Sequence, residues 1–311
     1  MTARRLTRLL TEKELDQELM LQLFDRAKVF ETSRPTRCAD GKILATYTNE
    51  PSTRTMVSSQ VAMLKLGGQY VHVPAQGSSE EKDEPFEDTA LTLAAIGADI
   101  LAMRHKDEEA LFAAAARVAQ LSPVPIVNCG TSGIHHPTQA LAEFYVAHDV
   151  FGDLNNLKVA VIGGIDNSRA INSFLYLLTE WIGITLYVVT SDGRNIKGGL
   201  HLYLEDYKDR IKVIETSDLD EVLPLVDIVY QSRIQWNHAL DPETARKEVP
   251  PHVLNRRNVG RMQKHAVIFH PWPRNKELSR EVDFLPQQRY IEVMRKAPFV
   301  RMALFANILG I

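Results

Sequence analysis

The chain carries only two cysteines, Cys38 and Cys129, in 311 residues. They have no metal-ligand spacing and cannot build a disulfide framework, which points to a reducing cytoplasm. No uncharged apolar run approaches the roughly 20 residues that span a bilayer. The basic start (Arg4, Arg5, Arg8) runs almost at once into Thr11-Glu12-Lys13-Glu14, leaving no apolar core for a signal peptide. Charge of neither sign dominates. A net charge of −3 gives no reason to expect nucleic acid or a membrane surface as a partner. Internal repeats and low-complexity segments are absent, and the acidic run Glu80-Glu81-Lys82-Asp83-Glu84 reads as a solvated loop. Ile162-Gly163-Gly164-Ile165-Asp166 lacks the G-x-G-x-x-G spacing of a dinucleotide turn, so a tight strand-to-helix connection accounts for it.

What is present is an average globular composition, 45% apolar and 24% charged, long enough for two domains. Helix-period segments alternate with short β-rich runs, the pattern of parallel sheets with crossover helices. The first half predicts strands at Ile43–Thr48, Tyr70–Val73, Ile100–Met103 and Pro125–Asn128. Its helices fall near Glu14–Thr32, Met56–Leu66, Phe86–Ile96, Glu108–Gln120 and Thr138–Val150. The last of these carries the chain across, and Phe151-Gly152-Asp153 supplies the hinge. The second half predicts strands at Lys158–Ile162, Thr185–Thr190, Lys212–Glu215, Ile228–Gln231 and Ala266–Phe269. Helices follow near Ser168–Trp181, Leu200–Lys208 and Leu219–Leu225, then Pro250-Pro251 and an irregular loop over Asn255–Gln263 leading to a short helix, and a closing amphipathic helix, Arg289–Leu309. The fold class is α/β: two doubly wound parallel-sheet domains joined by interdomain helices, spanning 1–150 and 151–288. The helix at 289–311 packs back on the first domain. The ligand is expected in the cleft between the C-terminal ends of the strands.

Ser52-Thr53-Arg54-Thr55 places three hydroxyls and a guanidinium directly ahead of a helix-patterned stretch. Unpaired N–H groups and dipole charge at a helix start attract an anion, and an Arg fork favours phosphate. Arg54, Arg104, Arg169, Arg233 and Arg274 all fall at C-terminal ends of predicted strands. In an acidic protein, five such arginines imply a focused cationic site for a small polyanion bearing phosphate and carboxylate. No Asp/Glu couple or metal-ligand set stands among them, so no metal and no cofactor is expected. The implied chemistry is polarisation of a carbonyl and stabilisation of a leaving phosphate.

These residues carry a resemblance. Ser52-Thr53-Arg54-Thr55, Met103-Arg104-His105, His136-Pro137-Thr138-Gln139, Ser168-Arg169, Ser232-Arg233-Ile234-Gln235, His270-Pro271-Trp272-Pro273-Arg274 and Val300-Arg301-Met302-Ala303-Leu304 occur in order. The chain thereby resembles the aspartate/ornithine carbamoyltransferases over its full length, the aspartate branch most closely. That resemblance implies carbamoyl transfer from carbamoyl phosphate to an acidic amino acid, L-aspartate, as in pyrimidine biosynthesis. The first domain would bind carbamoyl phosphate and the second the acceptor. Ser52, Thr53, Arg54 and Thr55 would hold the phosphate, while Arg104, His136 and Gln139 hold the carbamoyl group, with Thr55, Arg104 and His136 on its carbonyl oxygen. Ser78 and Lys82 would reach a neighbouring subunit's site in a homotrimer with shared active sites. Arg169, Arg233 and Gln235 would grip the acceptor's carboxylates, and the Pro271–Trp272 backbone would face its amine. A regulatory chain is a further partner the resemblance implies.

The supporting residues depart from the family pattern at Met56, Ser58-Ser59-Gln60, Asp83-Glu84, Gln235-Trp236-Asn237-His238 and Trp272. The residues that would touch carbamoyl phosphate are intact, while those supporting them and those around the acceptor are altered. These departures leave two alternatives beside aspartate transfer: a paralogue acting on another amine, and a non-catalytic homologue.

Overall fold

The computed structural model describes residues 4–33, 37–74, 82–131, 134–163, 168–190, 199–233 and 252–311. They form two compact units, the first of residues 1–146 with 293–311 and the second of residues 147–292.

In the first unit, four parallel strands stand in the order β2-β1-β3-β4: β1 (Ile43–Thr48), β2 (Gln69–Pro74), β3 (Ile100–His105) and β4 (Ile126–Thr131). The helices are α1 (Gln17–Thr32), α2 (Arg54–Lys65), α3 (Phe86–Ala95), α4 (Glu108–Leu121) and the start of α5 (Pro137–Phe151). β3 and β4 are buried along their whole length, as expected of strands covered on both faces. Leu101 and Met103 pack there with Tyr47, Leu111 and Val118. Each such side chain contributes on the order of 2 kcal/mol by leaving water.

The second unit holds five parallel strands in the order β7-β6-β5-β8-β9. These are β5 (Lys158–Ile162), β6 (Ile184–Val189), β7 (Ile211–Thr216), β8 (Ile228–Gln231) and β9 (Val267–Phe269), with helices α6 (Arg169–Leu178), α7 (Gly199–Asp206), α8 (Leu219–Val222) and α9 (Arg256–Val259). The core is apolar, Ile162, Val222, Val229, Ile268 and Tyr290 among others. The final helix, α10 (Tyr290–Leu309), passes into the first unit from Val293.

Five local details differ from the sequence expectation. The opening helix starts at Gln17 rather than Glu14, because Asp16 caps it by accepting from Leu19 N–H at 2.9 Å. Glu14 belongs instead to a 3₁₀ turn, Glu12–Glu14. The second helix begins at Arg54, so Arg54 and Thr55 form its first turn; the apolar pattern marks only the buried face and misses polar first-turn residues. α8 stops at Val222, since Leu223 is still helical but Pro224 has no N–H with which to continue the ladder. Within Asn255–Gln263 a four-residue helix forms, with Asn255 accepting from Arg257 N–H at 2.9 Å and Asn258 N–H at 3.1 Å. The last helix is not amphipathic throughout: Val300–Ala306 are all buried, enclosed in the first unit.

Both sheets reverse their winding at one point, between β1 and β3 in the first and between β5 and β8 in the second. At the second of these, Gly163 has φ +108°, and a Cβ there would lie 2.2 Å from the Ser232 carbonyl oxygen. The close approach of the two strand ends therefore requires glycine. Gly163→Ala is expected to destabilise the protein by roughly 2–3 kcal/mol, read as a lower urea midpoint; an unchanged midpoint would show that the Ser232 segment yields freely.

Candidate active site

β1 ends at Thr48, directly opposite Arg104 at the end of β3. Asn49 N–H donates to the Arg104 carbonyl at 3.2 Å, and the chain then turns into α2. The Ser52–Thr55 motif and Arg104 thus meet at the switch point, where open α/β sheets bind ligands. Thr53 occupies the N-cap of α2 without its hydroxyl accepting a bond from the helix. Thr53 and Arg54 are exposed, Ser52 is half-buried and Thr55 is buried. The first-turn N–H groups have no intrahelical acceptor, so this end presents positive potential beside hydroxyls and a guanidinium.

Arg104 is buried, with Nε and Nη2 each 3.1 Å from Glu50 Oε2. Gly130, near the end of β4, separates Arg104 from His136: a Cβ there would sit 3.3 Å from Arg104 Nη1 and 3.3 Å from His136 Cδ2. The His136 carbonyl accepts the first bonds of α5, from Gln139 N–H at 3.0 Å and Ala140 N–H at 3.2 Å. Pro137 fills the first helical position, where no N–H is needed. His136 Nε2 lies 3.3 Å from Thr55 Oγ1. Burial, reinforced by the positive charges of Arg301 and Arg54, holds the imidazole down to about 3, so it is neutral at physiological pH. Gln139 is half-buried, its Nε2 donating to Glu143 Oε1 at 2.8 Å.

Ser78 lies outside the described residues. Lys82 is exposed ahead of α3 and makes no hydrogen bond or ion pair with this cluster among the described residues. Of the carboxylates around it, Glu84 accepts from Thr89 Oγ1 at 2.7 Å, while Glu80 and Glu81 lie outside the described residues.

In the second unit, Ser168 caps α6 and its Oγ lies 3.1 Å from Ser232 Oγ. Arg169 opens that helix and Arg233 follows β8, both half-buried at the β5/β8 switch point. Gln235, with Trp236, Asn237 and His238, lies outside the described residues, as do Gly164, Ile165 and Asp166. After β9, Trp272 N–H donates to His270 Nδ1 at 2.9 Å, which leaves the His270 proton on Nε2, 3.0 Å from Glu277 Oε1. Burial would raise the Glu277 carboxyl, but His270 and backbone N–H groups outweigh it and hold it below its ordinary range. This buried pair shapes the Pro271–Trp272 turn, where Trp272 takes φ 58°. The indole packs edge-on against Tyr290, with ring centroids 5.7 Å apart and the Arg274 guanidinium 4.9 Å above it.

Arg274 qualifies the expectation of a focused cationic site. Its Nη1 and Nη2 donate to Asp283 Oδ1 and Oδ2 at 2.5 and 2.6 Å, so its charge is spent on that carboxylate. Arg104 is likewise paired with Glu50. Positive charge is thus rationed more tightly than a count of arginines implies. Among the described residues no three His, Cys, Asp or Glu side chains gather as a metal site would need.

Residues 7–149 match the family description "Aspartate/ornithine carbamoyltransferase, carbamoyl-P binding domain", and residues 155–308 match its "Asp/Orn binding domain". The chain belongs to the aspartate/ornithine carbamoyltransferase family. It is 33% identical over 308 residues to the aspartate carbamoyltransferase catalytic subunit of Methanocaldococcus jannaschii, covering 97% of each chain. To the chloroplastic aspartate carbamoyltransferase of Arabidopsis thaliana it is 34% identical over 307 residues, 96% of this chain and 76% of the relative. A crystal structure of aspartate transcarbamoylase from Trypanosoma cruzi in complex with carbamoyl phosphate and aspartate superposes with a TM-score of 0.87 at 26% identity. That match covers 97% of this chain and 96% of the other.

For a carbamoyltransferase, the useful property of this cluster is that it offers donors without surplus charge. Thr55, the guanidinium of Arg104 and a neutral His136 are each hydrogen-bond donors, the kind of group that stabilises a developing oxyanion. Three contributors escaped the sequence reading as site residues: Glu50, Glu12 and Arg301. Glu50, two residues ahead of the phosphate motif, and Glu12 show no partner in the sequence. Arg301 stood within a family landmark but had no visible partner. It is 2% exposed, donates to Thr138 Oγ1 at 3.5 Å and to the Ala297 carbonyl at 3.3 Å, and burial pulls it down to about 10. Burial also pushes the Cys129 thiol up to about 11, against the pull of Arg301, Ser59 and Thr138, so Cys129 stays protonated.

The depressed His136 value has a sign that can be checked. The unfolded chain binds a proton at this histidine below its ordinary value of 6.5, while the folded chain stays neutral to about 3. His136 therefore removes stability as pH falls through that window. The urea midpoint of the wild type is expected to drop more steeply between pH 6.5 and 4 than that of His136→Gln, by up to about one proton of slope. Equal slopes would mean that His136 titrates normally in the folded protein.

Proposed function

We propose that the chain transfers the carbamoyl group of carbamoyl phosphate to the amine of L-aspartate, releasing phosphate and N-carbamoyl-L-aspartate. The observation that carries this reading is the convergence of Ser52–Thr55, Arg104 and His136 at the β1/β3 switch point. The relative from Trypanosoma cruzi, in complex with carbamoyl phosphate and aspartate, supports the same substrates here.

In this reading Ser52, Thr53, Arg54 and Thr55 hold the phosphate on the N-terminus of α2. Thr55, Arg104, His136 and Gln139 hold the carbamoyl group. The amine lone pair attacks the carbonyl carbon, and negative charge collects on the oxygen that Thr55, Arg104 and His136 face. The bond to the phosphate oxygen then breaks, and an amine proton is released. Arg169, Arg233 and Gln235 bind the acceptor's carboxylates, with the Pro271–Trp272 backbone at its amine. The Trp272 indole is engaged with Tyr290 and Arg274, which supports a positioning role for the backbone of this turn and not an aromatic wall around the acceptor.

The same proposal includes a homotrimer in which Ser78 and Lys82 complete a neighbour's site. Its support is the edge strand β2, exposed at Gln69–His72, with exposed Tyr70 and Val71 near Val57 and Leu64 of α2. Parallel sheets are normally covered on both faces, so this surface calls for a second copy. The name of the archaeal relative, a catalytic subunit, supports a regulatory chain as a further partner. A cytoplasmic location is supported by the free thiols of Cys38 and Cys129.

A ureido assay with an amine panel tests the reaction, with L-aspartate expected to be the fastest acceptor. If another amine reacts faster, the acceptor assignment is wrong. Arg54→Ala is expected to lower kcat/KM by at least about 100-fold. Arg169→Ala should raise the aspartate KM about tenfold or more, with the carbamoyl phosphate KM little changed. Light scattering on the full chain should return three times the 35.1 kDa protomer mass, and a monomer mass would remove the shared-site element.

A further inference from the structure

Immediately before His136, the first unit holds a buried network outside the family motif. Glu12 is 3% exposed, and its carboxylate makes two bonds at once. Oε1 accepts the His136 backbone N–H at 3.2 Å, and Oε2 lies 2.5 Å from His135 Nδ1. On its other side, His135 Nε2 lies 3.4 Å from Glu108 Oε1, at the start of α4. The His136 N–H belongs to a helix N-cap and has no acceptor within α5. Glu12 supplies that acceptor, and His135 neutralises the carboxylate that does so.

The backbone places Glu12 for this task. Leu9 bridges to Val127 in parallel register, with Leu9 N–H donating to the Ile126 carbonyl at 3.0 Å and Asn128 N–H to the Leu9 carbonyl at 2.7 Å. Asn128 Nδ2 also donates to the Leu10 carbonyl at 2.8 Å. Glu14 Oε2 accepts from Leu10 N–H and Thr11 N–H, each at 2.7 Å. The segment carrying Glu12 is therefore sewn to β4, the strand whose end leads to His135 and His136.

We propose that Glu12 is a positioning residue for carbamoyl transfer, fixing His136 through its backbone N–H and through His135. This rests on His136 belonging to the carbamoyl phosphate site. The charge state agrees with the geometry. Burial alone would lower the His135 value, but the hydrogen bond and charge of Glu12, with the charge of Glu108, outweigh burial and the opposing Lys13, so the imidazole sits above its ordinary value. A protonated His135 can donate toward both carboxylates. Without His135 the Glu12 carboxylate would lose its partner on Oε2 in a buried setting, whereas His135 without Glu12 would still face Glu108. His136 itself is uncharged, and its Nε2 lies 3.3 Å from Thr55 Oγ1. An error of about 1 Å in its placement is enough to cost roughly 100-fold in rate.

Three variants of the full chain decide the matter, each assayed at saturating substrates and checked for folding by circular dichroism. Glu12→Leu keeps the volume and removes both acceptors. It is expected to lower kcat at least tenfold with the carbamoyl phosphate KM within threefold of wild type. Glu12→Gln keeps an acceptor for the His136 N–H and should restore kcat to within threefold. His135→Phe removes the tether on Oε2 and should lower kcat at least threefold, again with KM held. It decides alone if Glu12→Leu does not fold. Wild-type kcat in Glu12→Leu or in His135→Phe, or a Glu12→Gln enzyme as slow as Glu12→Leu, would sink the proposal. His136→Ala separates the two levels of the argument. If it retains wild-type activity, the site assignment itself is wrong; if it is inactive while Glu12→Leu is not, only the role of Glu12 falls.

Discussion

The register of β1 against β3 is the constraint on which the donor site depends. Because Thr48 pairs with Arg104, the chain leaving β1 turns into α2 beside the guanidinium at the end of β3. A phosphate-attracting helix start and an oxygen-polarising cation are thereby placed at the sheet's switch point. A one-residue slip would turn every β3 side chain to the opposite face, sending Arg104 away from the start of α2 and Met103 out of its packing. The burial of β3 on both faces makes that slip costly, so hydrophobic packing holds the polar geometry.

Charge is then managed by pairing. Glu50 takes up part of the Arg104 charge and Asp283 that of Arg274, while His270 and Glu277 settle each other. His136 escapes protonation because it is buried near Arg301 and Arg54. The donor site thus combines one exposed arginine, Arg54, with a neutral imidazole and a partnered guanidinium. The start of α2 presents positive potential, and Arg104 beside it is a donor whose charge is already partnered. Preorganised donors of this kind need not reorient as negative charge develops on the substrate.

The fold was largely legible in the sequence because parallel strands buried on both faces read as short continuous apolar runs, as at Ile100–Met103 and Lys158–Ile162. Errors gathered at helix ends and in the last helix. There the deciding groups are caps such as Asp16 and Asn255, or enclosure of Val300–Ala306 by a unit assembled from distant sequence. The donor motifs were legible for a related reason: Ser52–Thr55 and His136–Gln139 are contiguous, so their chemistry is written locally. Glu12, Glu50 and Arg301 were not. Each acts on a partner between about 50 and 170 positions away, and nothing in a local window distinguishes them from a solvated charge.

By itself, the sequence determined the alternation of strands and helices, the family, and the contiguous peptides that address phosphate and carbonyl. Those properties rest on periodicity and on functional groups a few bonds apart. Only the tertiary structure decided that Arg104 pairs with Glu50, that Arg274 belongs to Asp283, and that His136 is neutral. It also decided that Glu12 reaches across to the His136 backbone. These follow from burial and from distances between remote segments, because desolvation and Coulomb energy depend on what folding brings within a few ångströms.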